Sequence, residues 1–191
     1  MGVRLTILFF LILSVQASAS VDSCLFSLRP HLTIKEKDLL DVAERWPERT
    51  RLVDIERETF LRNAGYADST GEVPSKIKVE EIARCSTNDS LQIRLLRVLG
   101  IEGTKDENIY IVTYSGSTIL ARSLLAELQA SCEGTFLRAC TMEADGSIRI
   151  GQLRHVFDCD KDEFIKTETL SGLTLRVRDD GSIHETIEGE E

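Results

Sequence analysis

The stretch Ile109-Tyr110-Ile111-Val112-Thr113-Tyr114 consists only of β-branched and aromatic residues. Side chains of these types pack well on a pleated surface, so the run predicts a β-strand. Further along the chain, Ala144-Asp145-Gly146-Ser147-Ile148 and Asp179-Asp180-Gly181-Ser182-Ile183 each place Asp-Gly between alternating apolar residues. Asp-Gly in that setting predicts a hairpin, because both turn residues can adopt positive φ. The sequence therefore predicts β-hairpins toward the C-terminus.

On the N-terminal side of this strand, apolar residues recur at the spacing of helices. Thr33 and Glu36 fit a capping box, and the helix that they open is expected to end at Pro47. A second helix is predicted over 51–64, because Gly65 follows at the place of a left-handed C-terminal cap. This part of the chain is therefore expected to be rich in helix.

Two more helices and a short strand complete the predicted elements. Alternation of apolar and charged residues over 77–79 indicates a short strand. A third helix, capped at position 89 or 90, is predicted up to Gly100. After the central strand, Ser117 or Thr118 is expected to cap a helix that carries four leucines: Leu120, Leu124, Leu125 and Leu128.

Together these elements predict an α+β fold stabilised by disulfides. Residues 21–101 form a helix-rich α+β region, and residues 102–191 form an α/β-hairpin region. The polar, glycine-containing segment 102–108 is the expected boundary. The mature chain suits either two small units or one domain.

The N-terminus has the three parts of a secretory signal peptide, and we assign residues 1–20 to it. Arg4 is the only charge, an apolar run covers 5–15, and small residues precede an expected cleavage site after Ala19 or Ser20. A transmembrane anchor is the alternative, but the apolar run falls short of the ~20 residues that a spanning helix needs. We therefore expect a secreted or periplasmic protein.

All five cysteines lie in the expected mature chain, where an oxidising compartment favours disulfides. They are Cys24, Cys85, Cys132, Cys140 and Cys159. Five is an odd number, so at least one is free or pairs with another chain. We expect one local bridge among the last three and a second between Cys24 and Cys85. A zinc site is the alternative, but the chain has no closely spaced C-x-x-C pair.

Composition excludes several classes of function. The formal net charge of −9 argues against general electrostatic binding of nucleic acid, because the phosphates would repel the chain. No second apolar stretch is long enough to span a bilayer after signal cleavage. The chain has no phosphate loop, no G-x-G-x-x-G and no G-x-S-x-G, so no cofactor is predicted. A protein partner is the expectation that remains.

Two groups of residues resemble reactive sites. His155 and Cys159 are four residues apart, a spacing that places them on one face of a helix or a strand and resembles the start of a thiol–imidazole pair. A disulfide would remove that nucleophile. The acidic run 158–163 has no glycine at a sharp turn and no closing Glu, so it is interpreted as a solvated charge cluster. No catalytic residue and no metal site is predicted.

Several segments follow one another in an order that is similar to that of one protein family. They are Leu39-Leu40-Asp41-Val42-Ala43, Leu52-Val53-Asp54-Ile55, Phe60-Leu61-Arg62-Asn63-Ala64-Gly65, the stretch from Val73-Pro74 to Val79, and Gly172-Leu173-Thr174-Leu175-Arg176-Val177. This order resembles the periplasmic flagellar P-ring assembly chaperones, which have a signal peptide and an L-x-D-[IV]-A stretch. The resemblance covers about a third of the chain and excludes 102–159. It implies a chaperone whose cargo is a ring subunit.

Three functions are therefore open. The first is an exported, non-enzymatic binding or assembly protein of the cell envelope, with a chaperone-like role toward a surface-structure subunit. The second is a secreted effector or inhibitor domain. The third is a secreted hydrolase that uses His155 with Asp158 or Asp160.

Overall fold

In a computed structural model of the chain, the structure describes residues 20–40, 49–87, 90–100, 107–131, 134–158, 160, 163–170 and 172–188. Of the described residues, 55% lie in strands and 17% in helices. The predicted α+β fold with a helix-rich front half is therefore wrong, and the protein is β-rich. The expected signal peptide lies almost wholly outside the described residues, as do Cys132 and Cys159.

The described helices are short. They are α1 (Val21–Leu28), a 3-10 turn (Arg29–His31), α2 (Glu36–Leu40) and α3 (Asp54–Asn63). The described strands are β1 (Thr50–Arg51), β2 (Lys78–Ser86), β3 (Leu91–Leu99), β4 (Glu107–Ser115), β5 (Thr118–Ser131), β6 (Gly134–Met142), β7 (Ile148–Asp158), β8 (Glu163–Thr169), β9 (Leu173–Val177) and β10 (Ile183–Ile187).

These strands form one antiparallel sheet in the order β1-β2-β3-β4-β5-β6-β7-β9-β10, and β8 also pairs with β7. From β1 to β8 each strand pairs with the next one along the chain, so the sheet is a meander. β7 is shared, because residues 148–150 pair with β9 and residues 153–158 pair with β8. Residues 101–106, near the predicted boundary, are not described, but the strands that flank them are paired.

β3 occupies the place of the third predicted helix. Its side chains are buried on both faces of the sheet, since Ile93 and Leu95 pack in one core while Leu96 and Val98 pack in the other. A strand covered on both sides is apolar almost throughout, so periodicity cannot distinguish it from a helix.

β5 replaces the helix predicted after position 117. Ser115 pairs with Thr118, so Gly116 and Ser117 form a two-residue hairpin turn rather than a helix cap. Gly116 has a φ of 58°, and glycine at the first position of a two-residue turn is the sequence signal for such a hairpin.

The two Asp-Gly hairpins are confirmed, although their turns differ from the expected type. Gly146 and Gly181 have φ values of 80° and 81°, whereas neither preceding Asp has a positive φ. Each Asp instead accepts a hydrogen bond from the backbone of the following serine, Ser147 or Ser182. Only the glycine takes the left-handed conformation, as in a type I turn that is followed by a bulge.

The main core lies between two parts of the sheet. α1 contributes Val21, Cys24, Leu25 and Leu28, and one face of β2–β5 meets residues of β6, β7 and β9 around it. The predicted disulfide between Cys24 and Cys85 is confirmed and joins α1 to β2.

The second core lies on the opposite face of β2–β5, where α3 packs. Phe60 and Leu61 of α3 are fully buried against Val98, Tyr110 and other residues of the sheet. The predicted second helix is confirmed in α3, and Gly65 follows it with a φ of 85°.

The N-terminal segment fills a gap in the sheet. β5 pairs with β4 over 118–128 but with β6 only over 127–131, so the two strands diverge. Beside the diverging part, Ile34 forms an antiparallel bridge with Cys140, with N···O distances of 2.8 and 3.1 Å. The backbone edge of β6 is thus partly satisfied by the segment before α2.

Removal of the disulfide tests its share of the stability. In a variant with Cys24→Ala and Cys85→Ala, the unfolded chain regains the entropy of a loop of 61 residues. We expect the free energy of unfolding to fall by about 4 kcal/mol. Guanidinium unfolding followed by circular dichroism measures it, and reduced wild type serves as the control. A loss below about 1 kcal/mol would contradict this entropic role.

Candidate functional site

β8 is the exposed edge of the sheet beside β7. Among the described residues it pairs only with β7, and six of its seven residues are exposed. Backbone groups on a free edge remain available for another strand. This edge of the sheet is therefore largely uncovered by the described residues.

One face of the β7–β8 pair is apolar. Register places Leu153, His155 and Phe157 on the same face of β7, and a bulge between Val156 and Phe157 brings Phe164 of β8 opposite Phe157. The Phe157 and Phe164 ring centroids are 5.7 Å apart, and those of His155 and Phe164 are 6.3 Å apart. We call Leu153, His155, Phe157 and Phe164 the apolar strip.

The apolar strip is open to solvent at its distal end. Phe164 is 57% exposed and the bulged residue Ile165 is 56% exposed. Leu170, which directly follows β8, is also exposed. Single exposed apolar side chains are ordinary, but several neighbouring ones on one element mark an interaction surface.

The opposite face of β7–β8 is charged. Lys166 and Glu168 form an ion pair at 2.7 Å, and Arg154 lies 4.0 Å from Glu168. The Lys166 ammonium, which donates a hydrogen bond to Glu168, lowers the pKa of that carboxyl. The β7–β8 pair therefore carries its charged side chains on one face and its apolar side chains on the other.

An apolar groove continues from the apolar strip along β6 and β7. Its cavity volume is about 430 Å³, and apolar groups of Leu137, Ala139, Leu153 and Leu170 contribute to its walls. Ile34 and Lys35 border one side. Since Leu153 belongs to both features, the strip and the groove form one continuous surface.

The structure places His155 within this surface. Its Nδ1 atom lies 2.8 Å from the Thr167 hydroxyl, and its ring is next to Phe164. Asp158 is an odd number of residues away on the same strand, so it projects from the opposite face. The hypothesis of a His155–Asp158 pair is therefore not supported by the arrangement, and Cys159 lies outside the described residues.

Cys140, one of the three cysteines among which a local bridge is expected, is a free thiol. It is buried, and its Sγ donates to the Leu32 carbonyl at 3.4 Å. Burial raises the pKa of Cys140 to about 12. A thiol with such a pKa is a poor nucleophile at neutral pH, so Cys140 is a core residue.

A second, polar cavity of about 240 Å³ lies beside the two Asp-Gly turns. Its walls include Asp22, Asp145, Arg176, Arg178 and His184. Arg176 donates a hydrogen bond to Asp145, so these charges partly neutralise each other. Among the residues that the structure describes, no group of three or more His, Cys, Asp or Glu is arranged to hold a metal ion.

The buried charges of the sheet are structural. Arg97 donates two hydrogen bonds to Glu107, at 2.7 and 3.0 Å, and one to Glu80 at 3.1 Å. Burial raises the pKa of Glu107, and the bonds from Arg97 oppose that effect. Because Glu80, Arg97 and Glu107 belong to β2, β3 and β4, these hydrogen bonds join three neighbouring strands.

Comparisons of the chain with protein-family models, with curated proteins and with solved structures found no match. No helix within the described part of the chain is both long enough and apolar enough to cross a bilayer. Function is therefore inferred from the sequence and geometry of this chain alone.

Sequence reasoning identified His155 and the acidic run but missed the aromatic residues around them. Phe157 and Phe164 stand on either side of the polar segment 158–163. Two aromatic residues that flank a polar turn indicate a hairpin with paired rings. That signal is present in the sequence, but the charges between the rings obscure it.

The assignment of Cys140 to the core is testable by alkylation. At pH 8 a thiol with a pKa of about 12 is ionised in about one molecule in 10⁴, so iodoacetamide should not modify folded Cys140. Thr186→Cys, at an exposed position of β10, provides a reactive control. Mass spectrometry of the peptides should show modification of Cys140 only after denaturation. Modification at equal rates in the folded state would contradict its burial.

Proposed function

We propose that this chain is an exported, non-enzymatic binding protein of the cell envelope, and that the apolar strip and the groove form its contact surface for a protein partner. The observation that carries the proposal is the exposed Phe157–Phe164 pair, which is continuous with the groove through Leu153. Aromatic side chains in an exposed cluster are typical of the centres of protein interfaces.

The distribution of charge favours an uncharged, apolar contact segment on the partner. Lys166 and Glu168 lie on the opposite face, where they form an ion pair. The apolar strip itself carries no carboxylate or ammonium group. The groove begins at Leu153, so an apolar segment bound along the strip reaches it without separating the Lys166–Glu168 ion pair. This arrangement supports recognition of exposed apolar residues, as a chaperone-like factor requires.

The disulfide supports an oxidising location. Cys24–Cys85 is a structural bridge, and such bridges persist in secreted and periplasmic proteins. Together with the signal-like N-terminus, it favours export. On the resemblance to P-ring assembly chaperones, a subunit of an envelope ring or another surface structure is the cargo that we propose to test first.

Photo-crosslinking from two phenylalanine positions tests the contact surface. A photoreactive phenylalanine at position 164 should capture a defined partner from envelope or culture-medium fractions. Phe26, which is 46% exposed on α1, provides the matched control position outside the strip. Equal capture at both positions, or capture at neither, would contradict the proposal.

Binding measurements with the purified partner then show how much the apolar strip contributes to the binding free energy. Phe164→Ser removes an aromatic ring from the strip, so we expect the Kd for the partner to rise at least about tenfold. Phe26→Ser should leave the Kd unchanged within about twofold, because that ring lies outside the strip. Titration calorimetry gives both values, and circular dichroism confirms that both variants are folded. Equal losses in the two variants would overturn the assignment of the surface.

A further inference from the structure

The outer edge of β8 has a defined pattern of backbone groups. The Leu170 amide donates to the Gln152 carbonyl at 2.9 Å, so position 170 points its backbone groups toward β7. In an antiparallel ladder this direction alternates along the strand. Lys166 and Glu168 therefore also bond toward β7, whereas the N–H and C=O groups of Thr167 and Thr169 point outward.

The packing of β7 against β6 agrees with this alternation. The carbonyl oxygen of His155 faces Gly134 of β6, within 2.2 Å of where a Cβ on that glycine would lie. Odd-numbered residues of this part of β7 thus bond toward β6, and even-numbered residues bond toward β8. On the C-terminal side of the bulge at Ile165, the outward groups of β8 are accordingly those of Thr167 and Thr169.

From this pattern we propose that β8 pairs antiparallel with β8 of a second copy of this chain, about a two-fold axis at Thr167. Thr167 of each copy would then oppose Thr167 of the other as a hydrogen-bonded pair. Thr169 would oppose Ile165 of the second copy. The outward backbone groups of Thr167 in one edge thereby meet those of Thr167 in the other.

Charge complementarity selects this register. With the axis at Thr167, Lys166 of each copy lies opposite Glu168 of the other, which gives two opposite-charge pairs on the charged face. An axis at Lys166 or at Glu168 would place like charges opposite each other, which is destabilising. An axis between two residues would pair an outward-facing residue with an inward-facing one, and the backbone bonds would be lost.

The pairing has a consequence for the proposed contact surface. Thr167 lies on the same face as His155, to which its hydroxyl is 2.8 Å distant. A two-fold axis through Thr167 therefore places the apolar strips of the two copies on the same face of one continuous sheet. The second copy is a closed, isologous partner, because the same edge serves both subunits.

Reversing the charge at position 166 or at position 168 tests the proposed dimer. The mixture of the two variants shows whether both still fold. Lys166→Glu places a second carboxylate opposite Glu168 of the other copy, and Glu168→Lys places a second ammonium group opposite Lys166. Each single variant should therefore weaken self-association about tenfold or more. If positions 166 and 168 of the two copies face each other, both cross-strand pairs in a heterodimer of the two variants again join groups of opposite charge. The mixture therefore tests this pairing directly.

The mixture is compared with each variant alone by sedimentation velocity over a concentration series. In the Lys166→Glu chain both positions 166 and 168 are acidic, and in the Glu168→Lys chain both are basic. Each position of one chain therefore meets an opposite charge in the other, and the mixed dimer has two attractive pairs. Dimers are expected in wild type and in the equimolar mixture, and monomers in each variant alone.

A cysteine pair tests the register itself. Thr167→Cys would place two thiols across the axis with Cα atoms about 5.5 Å apart, which a disulfide can bridge. Thr169→Cys, on the same face of the same strand, would place its two thiols about 13 Å apart at 3.3 Å per residue. In a glutathione buffer the first variant should form a reducible dimer, and the second should remain at the wild-type level.

These results are separable from those on the proposed function, because no partner protein is present. A monomeric wild type at all concentrations would overturn the inference, even if the apolar strip binds a partner. Dimers that persist equally in both charge variants, or equal crosslinking at positions 167 and 169, would show that the copies associate elsewhere. Failure of the mixed variants to associate would likewise refute pairing in this register.

Discussion

Helix α1 buries Val21, Cys24 and Leu25 between two parts of the sheet, and the disulfide to Cys85 holds it there. A sheet must bury each apolar face against another element, and β2–β5 carry apolar side chains on both faces. α3 covers one face of β2–β5, and α1 fills the space on the other. Without α1, the residues of β6, β7 and β9 that meet it would lose their common core.

The same arrangement explains why β5 and β6 separate. To enclose α1, the sheet turns at β5, so this strand cannot pair with β6 along its whole length. The bridge from Ile34 to Cys140 satisfies part of the exposed backbone that results. The N-terminal segment is therefore integrated in both the core and the sheet, although its own regular elements are short helices.

The surface on β7–β8 differs from the rest of the described sheet in its exposed apolar groups. On the other described strands the exposed large apolar side chains are single, but here Phe157, Phe164 and Ile165 lie together on the β7–β8 pair. The charges that normally protect an edge are present, and Lys166 and Glu168 lie on one face only. An edge that keeps its protective charges off the aromatic face leaves that face open to contact, while the charges disfavour any register that opposes like charges.

The sequence alone identified features that depend on residues close together in the chain. The central strand, the Asp-Gly hairpins and the helix before Gly65 were all predicted, since turn chemistry and capping act over short ranges. The expected bridge between Cys24 and Cys85 is present as well, although a cysteine count does not determine which cysteines pair. The prediction of the fold class was wrong at β3 and β5, because their leucine-rich patterns suit a helix as well as a strand covered on both faces. Only the tertiary structure decided that both segments are buried in a sheet, since burial depends on residues distant in sequence.

The candidate site shows the same division. His155 was named from the sequence, but its neighbours were sought among the nearest acidic residues. Strand alternation places Asp158 on the other face, and a bulge brings Phe164 beside His155 instead. A one-residue irregularity decides which side chains meet, and the sequence pattern does not reveal it. The sequence thus determined its own turns, whereas tertiary structure decided which cysteines pair, and the proposed contact surface arose only when pairing fixed the register of β7 and β8.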